Sequence, residues 1–180
     1  MQNAPMHVTI RQATLADSGT VISVLMEAAR WLDARGMHMW RDSELEPSAT
    51  AQSVVDGLFW IAEVEGQSAG VIRFELSDPI FWPDVPDGES AFIHRLAVRR
   101  SFAGGATSRV LMAWAAERTR NLGRGWLRLD CEADRPRLRA TYERFGFTHH
   151  SDRQVGPYFV SRYELRTDSF APGLGCVPAS

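Results

Sequence analysis

The hydrophobic period of this chain changes across one short mid-chain segment. AFIHRLAV (91–98) alternates as a strand does, and RVLMAWAAERTR (109–120) repeats its apolar residues as a helix does. RRSFAGGATS (99–108) lies between them. A strand that becomes a helix through adjacent glycines and other small residues commits the chain to a layered fold, helices against a sheet. The first backbone N–H groups of such a helix have no intrahelical partner, and the helix dipole makes that end electropositive. Small residues let a ligand approach those groups closely, and a pyrophosphate suits the place. Arg99, Arg100 and Arg109 stand close enough in sequence to add charge-assisted contacts. A solvated tight turn would use the same residues, so the segment alone leaves both readings open. A dinucleotide fingerprint is not met: Gly104 and Gly105 are adjacent, so G-x-G-x-x-G is absent, although Asp130 ends the next strand where a ribose-binding acid would stand.

The rest of the chain extends the pattern. Residues 7–12 alternate. Thr14 or Asp17 can cap a helix to about residue 35, with Val21, Val24, Leu25, Ala28, Trp31 and Leu32 at helical spacing and Gly36 as its stop. A shorter helix fits 47–56. Segments 58–65 and 68–77 read as a hairpin about Gly66-Gln67. The 78–88 stretch, DPIFWPDVPDG, is a loop with enough apolar surface for a lid or a pocket rim. A strand at 90–98, a helix at 105–121, a strand at 126–132, a helix at 135–145 and strands at 147–155 and 158–166 complete the order β-α-α-β-β-β-α-β-α-β-β. This is an α/β chain with an α+β-like mixed sheet and helices on its faces. A single domain is expected over 7–166, with a loosely ordered tail at 167–180.

Composition narrows the function. The formal net charge of −2 argues against a nucleic-acid binder that works by bulk charge. No apolar run approaches the roughly 18 residues of a membrane span, and the N-terminus lacks the basic and apolar regions of a secretory leader. Cys131 and Cys176 show no metal-ligand spacing, so a cytoplasmic protein without metal is expected. His149 and His150 are adjacent on a strand and point to opposite faces, which disfavours a shared ion.

LAVRRSFAGGATSRVLMAWAAERTR and LRLDCEADRPRLRATYERFGF together resemble the GNAT superfamily of acyl-CoA-dependent N-acetyltransferases. The resemblance runs over about 10–165, and Tyr142-Glu143-Arg144-Phe145-Gly146-Phe147 is its strongest motif, similar to the family's Y-E-x-x-G-F. The family's cofactor turn, R/Q-x-x-G-x-G/A, falls on Ala103, Gly104, Gly105, Ala106, Thr107 and Ser108. The leading Arg or Gln is alanine here, the first motif glycine is alanine, and the last position is serine. Alanine still presents its N–H, serine adds a hydroxyl, and Arg100 is a candidate substitute for the lost side chain. The family's frequent asparagine seven residues before the tyrosine is Arg135, which cannot accept a hydrogen bond but can meet a phosphate.

The resemblance implies acetyl-CoA (coenzyme A) as co-substrate, with Leu96, Ala97 and Val98 alongside the pantetheine arm, the 103–108 turn on the pyrophosphate, and Tyr142 near the sulfur as general acid. Acyl transfer also needs a neutral amine. Alternation puts Phe92, His94, Leu96 and Val98 on one strand face, and a histidine titrating near neutrality suits a base. His94 is therefore the candidate base, with Glu75 and Asp130 in reserve. Trp31, Trp40, Phe81, Trp82 and Tyr158 are candidate walls for a small-molecule or peptide amine acceptor. Turnover with a longer acyl donor or an oxygen acceptor, a CoA-binding or partner-binding module without turnover, and a homodimer through the last strands stay open.

Overall fold

The computed structural model describes residues 7–40, 42–104, 106–171 and 177–178. In chain order its elements are β1 (Val8–Gln12), α1 (Ser18–Asp33), α2 (Pro47–Val55), β2 (Phe59–Val64), β3 (Gln67–Glu75), β4 (Ser90–Val98), α3 (Thr107–Asn121), β5 (Trp126–Glu132), α4 (Pro136–Phe145), β6 (Thr148–Val155), β7 (Tyr158–Arg166) and β8 (Val177–Pro178). The order matches the sequence reading except for β8. Contacts gather the chain into two compact units. The first comprises Met1–Arg73, Arg95–Trp114 and Gly173–Ser180, and the second Phe74–His94 and Ala115–Pro172.

In the first unit the strand order is β8-β1-β2-β3-β4. β1 and β2 pair antiparallel, as do β2 and β3, and β8 lies parallel to β1. Val21, Val24 and Leu25 of α1 are buried with Ile61, Val71 and Ala97 of the strands, where the apolar spacing of the helix predicts its inner face. Thr14 and Asp17 form a capping box on a short 3-10 turn that leads into α1. Gly70 on β3 has a packing reason: a Cβ there would stand 2.8 Å from the Ala97 carbonyl and 3.3 Å from Leu111 and Thr107. Only glycine lets β3 and β4 approach so closely beside the start of α3.

In the second unit the order is β4-β5-β7-β6. β4 and β5 are parallel, and β5–β7 and β7–β6 antiparallel, so the sheet is mixed as expected. The β4–β5 ladder covers only Ser90–Phe92 against Trp126–Arg128, although β4 runs on to Val98. Just past it, Arg95 takes φ +51°, a left-handed conformation that a non-glycine side chain seldom adopts. Alternation therefore cannot be carried through residue 95, and the single face expected for Phe92, His94, Leu96 and Val98 does not follow. The tail has anchored stretches: the Thr167 N–H donates to Gly125, Phe170 stacks on Phe145, and Val177–Pro178 form β8. Residues 172–176 and 179–180 lie outside the described ones.

Candidate active site

The first unit holds the glycine turn. As β4 ends, the Arg99 N–H donates to Ala69 O at 2.8 Å, and its guanidinium donates to Glu27 Oε2 at 2.8 Å. Glu27 Oε1 accepts the Arg100 N–H at 2.7 Å. That hydrogen bond, above all, holds the Glu27 carboxyl below its ordinary range, with Arg99 adding to it against the opposing effect of burial. A residue of α1 thus clamps the exit of β4. The chain then passes extended Ala103 and Gly104 at φ +78°, while Gly105 lies outside the described residues. The Val110 N–H donates to Ala106 O at 2.8 Å. The preceding N–H groups, of Thr107, Ser108 and Arg109, consequently have no intrahelical acceptor. Thr107 is buried with its hydroxyl unpartnered, and Ser108 is half-buried.

Three sequence candidates of this unit have other neighbours. Arg100 lays its guanidinium 3.9 Å from the ring centre of Trp31, and Arg35 lies over the same ring at 4.1 Å. Trp40 packs against the core beside Arg95.

The second unit holds the motif tyrosine. Tyr142 is buried on α4, its ring against Phe147 and Tyr163. Burial, with the nearby Cys131 and Asp130, pushes its phenol above the ordinary value. The hydroxyl therefore keeps its proton. Cys131 beside it is pushed up to about 12, chiefly by burial. The next turn of α4 is braced by a chain in which Arg139 donates to Tyr163 Oη at 2.9 Å and Tyr163 donates to Glu143 at 2.8 Å. Gly146 ends the helix at φ +124°. Arg135 places its guanidinium on Glu132, at 3.1 Å.

The 78–88 loop is tied down. Trp82 is buried, with Arg162 4.6 Å and Arg128 5.2 Å from its ring centre and His150 edge-on. Arg162 also grips the loop by Asp84, at 2.6 and 3.0 Å, and by the Phe81 carbonyl. A small cavity of about 80 Å³ lies under the loop, lined by Asp78, Trp82, Asp87 and Phe92 among others. Trp82 reaches that cavity as a packed anchor. Phe81 is half-buried, its ring 6.3 Å from that of His94, and Tyr158 is half-buried at the start of β7.

His94 sits among carboxylates of this unit. Its Nε2 is 3.1 Å from Asp78 Oδ2 and 3.7 Å from Glu75 Oε2, and its Nδ1 is 3.7 Å from Asp130 Oδ1. Burial works against the imidazolium, but the contact with Asp78 and the charges of Asp130, Asp78 and Glu75 outweigh it, so the His94 pKa is raised. Asp130 is pushed up to about 6 by burial and, to a lesser degree, by Asp78, while His94 and Arg162 pull the other way.

Comparison with known proteins gives these groups a context. Residues 25–147 match the model of the acetyltransferase (GNAT) family. The chain belongs to the GNAT acetyltransferase family. An uncharacterized N-acetyltransferase of Bacillus subtilis, YesJ, is 28% identical over 141 residues, covering 75% of this chain and 78% of that protein. A GNAT acetyltransferase structure from Listeria monocytogenes superposes with a TM-score of 0.72 at 24% identity, over 87% of this chain and 94% of that one. PaiA N-acetyltransferase from Thermoplasma acidophilum, solved with coenzyme A, has a TM-score of 0.67 at 17% identity, over 87% of this chain and 98% of that one. Sequence reasoning missed the Glu27 clamp, the requirement at Gly70, the left-handed Arg95 and the grouping of Asp78 with His94. Only Gly70 carried a local signal, a glycine inside a strand.

Proposed function

We propose that the chain moves an acetyl group from acetyl-CoA to an amine of a small molecule or peptide, by direct attack in a ternary complex. The observation that supports the reading is that the N–H groups of Thr107, Ser108 and Arg109 precede the first intrahelical bond of α3, in the stretch that resembles the family's cofactor turn. Those amides, with Ala103, Gly104, Gly105 and Ala106, would hold the pyrophosphate. Leu96, Ala97 and Val98 would pair with the pantetheine arm as a neighbouring strand would. Arg100 and Arg135 would act from their present partners as further charges toward the phosphates. One acetyltransferase domain would span 7–166.

The chemistry asked of the protein is modest. The amine must lose a proton before its lone pair attacks the thioester carbonyl, and the departing sulfur must gain one. Tyr142, which keeps its proton, supplies the second. A thiol near pKa 8.5 is more acidic than a phenol, so this transfer is uphill on its own and has to be coupled to the breaking of the C–S bond. The His94 group would serve the amine side. The aromatic residues Trp31, Trp40, Phe81, Trp82 and Tyr158 would shape the acceptor space directly or by packing behind it.

Thiol release from acetyl-CoA against a panel of amines tests the reading. Release that depends on the amine supports it. Tight CoA binding with no release on any amine would replace it with the second reading, a CoA-binding module, which Ala103 favours by removing the family's Arg or Gln from the turn. Release with longer acyl-CoAs in preference to acetyl-CoA would revise the donor.

A further inference from the structure

His94 is the obvious base, yet each of its nitrogens faces a carboxylate. Nε2 faces Asp78 and Glu75, and Nδ1 faces Asp130. Asp78 is immobilised, because its Oδ1 accepts the N–H groups of Ile80 at 3.3 Å and Phe81 at 3.0 Å while its Oδ2 meets the imidazole. The two aspartates stand on different ring nitrogens, and one donor atom from each of Asp78, His94 and Asp130 lies within 4.8 Å of the others, so a divalent cation is the competing occupant of this cluster.

Asp130 has spare capacity. Its Oδ1, 3.7 Å from His94 Nδ1, is buried with no hydrogen-bond partner, as is Asp78 Oδ2, but Asp78 is already held through its other oxygen. The cation opposite it in the ladder, Arg162, is committed to Asp84, Phe81 O and Ser151. His94 is thus the cation nearest its free oxygen, with Arg162 also acting on it through its charge, and the charge of Asp130 is felt by Tyr142.

We propose that Asp130 is the general base of the acetyl transfer and that His94, held by Asp78, is a positioning residue that keeps Asp130 ionised. In the step, one proton passes from the acceptor's ammonium nitrogen to a carboxylate oxygen of Asp130. The N–H electron pair stays on nitrogen as the lone pair that attacks, and His94 remains protonated against Asp78. The inference rests on the acetyltransfer reading. Among the described residues five groups act on the pair or sense its charge: Glu75 from β3, Asp78 from the loop, Arg162 from β7, Tyr142 from α4 and Cys131 next to Asp130 on β5. Their balance leaves Asp130 near 6, so the base form is present at neutral pH and is lost below that value.

The test is the pH profile of kcat/KM for the wild type, Asp130→Asn and His94→Gln, together with a carbon-13 NMR titration of the Asp130 carboxyl in the ligand-free protein. The wild type should show an acid limb near pH 6, and the NMR titration should report the same value. Asp130→Asn should lose the limb and about 10²- to 10⁴-fold of the rate. His94→Gln removes the positive neighbour, so both the limb and the carboxyl titration should move to higher pH. An active wild type whose profile survives in Asp130→Asn, or a carboxyl that does not respond to His94→Gln, overturns this proposal alone. A wild type silent on every amine overturns the acetyltransfer reading, and this proposal with it. Turnover abolished by EDTA and restored by a divalent cation would mark the cluster as a metal site and also overturn it.

Discussion

Tyr142 is buried on a short helix, beside a thiol and a carboxyl that both raise the cost of ionising it. The phenol therefore stays protonated at neutral pH, the form that the proposed general-acid role requires. Tyr142→Phe keeps the ring against Phe147 and Tyr163 and removes only the hydroxyl. It should lower kcat by about 10²-fold or more while leaving KM for acetyl-CoA nearly unchanged, as expected for general-acid catalysis. A phenylalanine enzyme with wild-type kcat would assign the sulfur's proton to another source. Cys131 gives a companion reading. It is buried and pushed up to about 12, so little thiolate exists at neutral pH. A thiol reagent should modify it only after denaturation.

At the scale of elements, the turn before α3 is positioned from outside itself. Gly70 lets β3 pass close to β4 and α3, and Glu27 of α1 holds Arg99 and Arg100. Gly70→Ala forces its methyl within 2.8 Å of a backbone oxygen that cannot rotate away. It should cost about 1–3 kcal/mol of stability by denaturant unfolding and weaken CoA binding as well. The 78–88 loop belongs at this scale too. Asp84 is held down at about 2, mainly by Arg162. A depressed carboxyl stabilises above its unfolded value of about 4 and loses that contribution as pH falls through its folded value. The loop tie should therefore hold at neutral pH and loosen only near pH 2. Asp84→Asn should remove it at all pH, read as faster proteolysis within 78–88. Trp82→Ala removes the buried anchor of the same loop and should cost about 3–5 kcal/mol.

Over the whole molecule, much of the architecture was legible because period is a local property. Alternation and helical spacing each need only a few neighbouring residues, and they located β1 through β7 and α1 through α4 to within a residue or two. The tyrosine motif and the glycine turn were legible for the same reason. What escaped depends on residues far apart in the chain. The carboxylates around His94 come from positions 75, 78 and 130, and Arg162 reaches the loop from 78 residues away at Asp84. The lid-like composition of 78–88 carried no hint of that tether. A two-residue β8 has no period to read, and the left-handed Arg95 breaks an alternation that the residue types alone continue.

The central claim is that amides at the start of α3 without an intrahelical acceptor hold the diphosphate of coenzyme A. Backbone amide NMR during a CoA titration tests it most directly. Thr107, Ser108 and Arg109 should show the largest saturable amide shifts, and the shifts should persist in Tyr142→Phe, whose turn is untouched. Saturable binding that leaves those three amides unmoved, or no binding at millimolar CoA, would contradict the account.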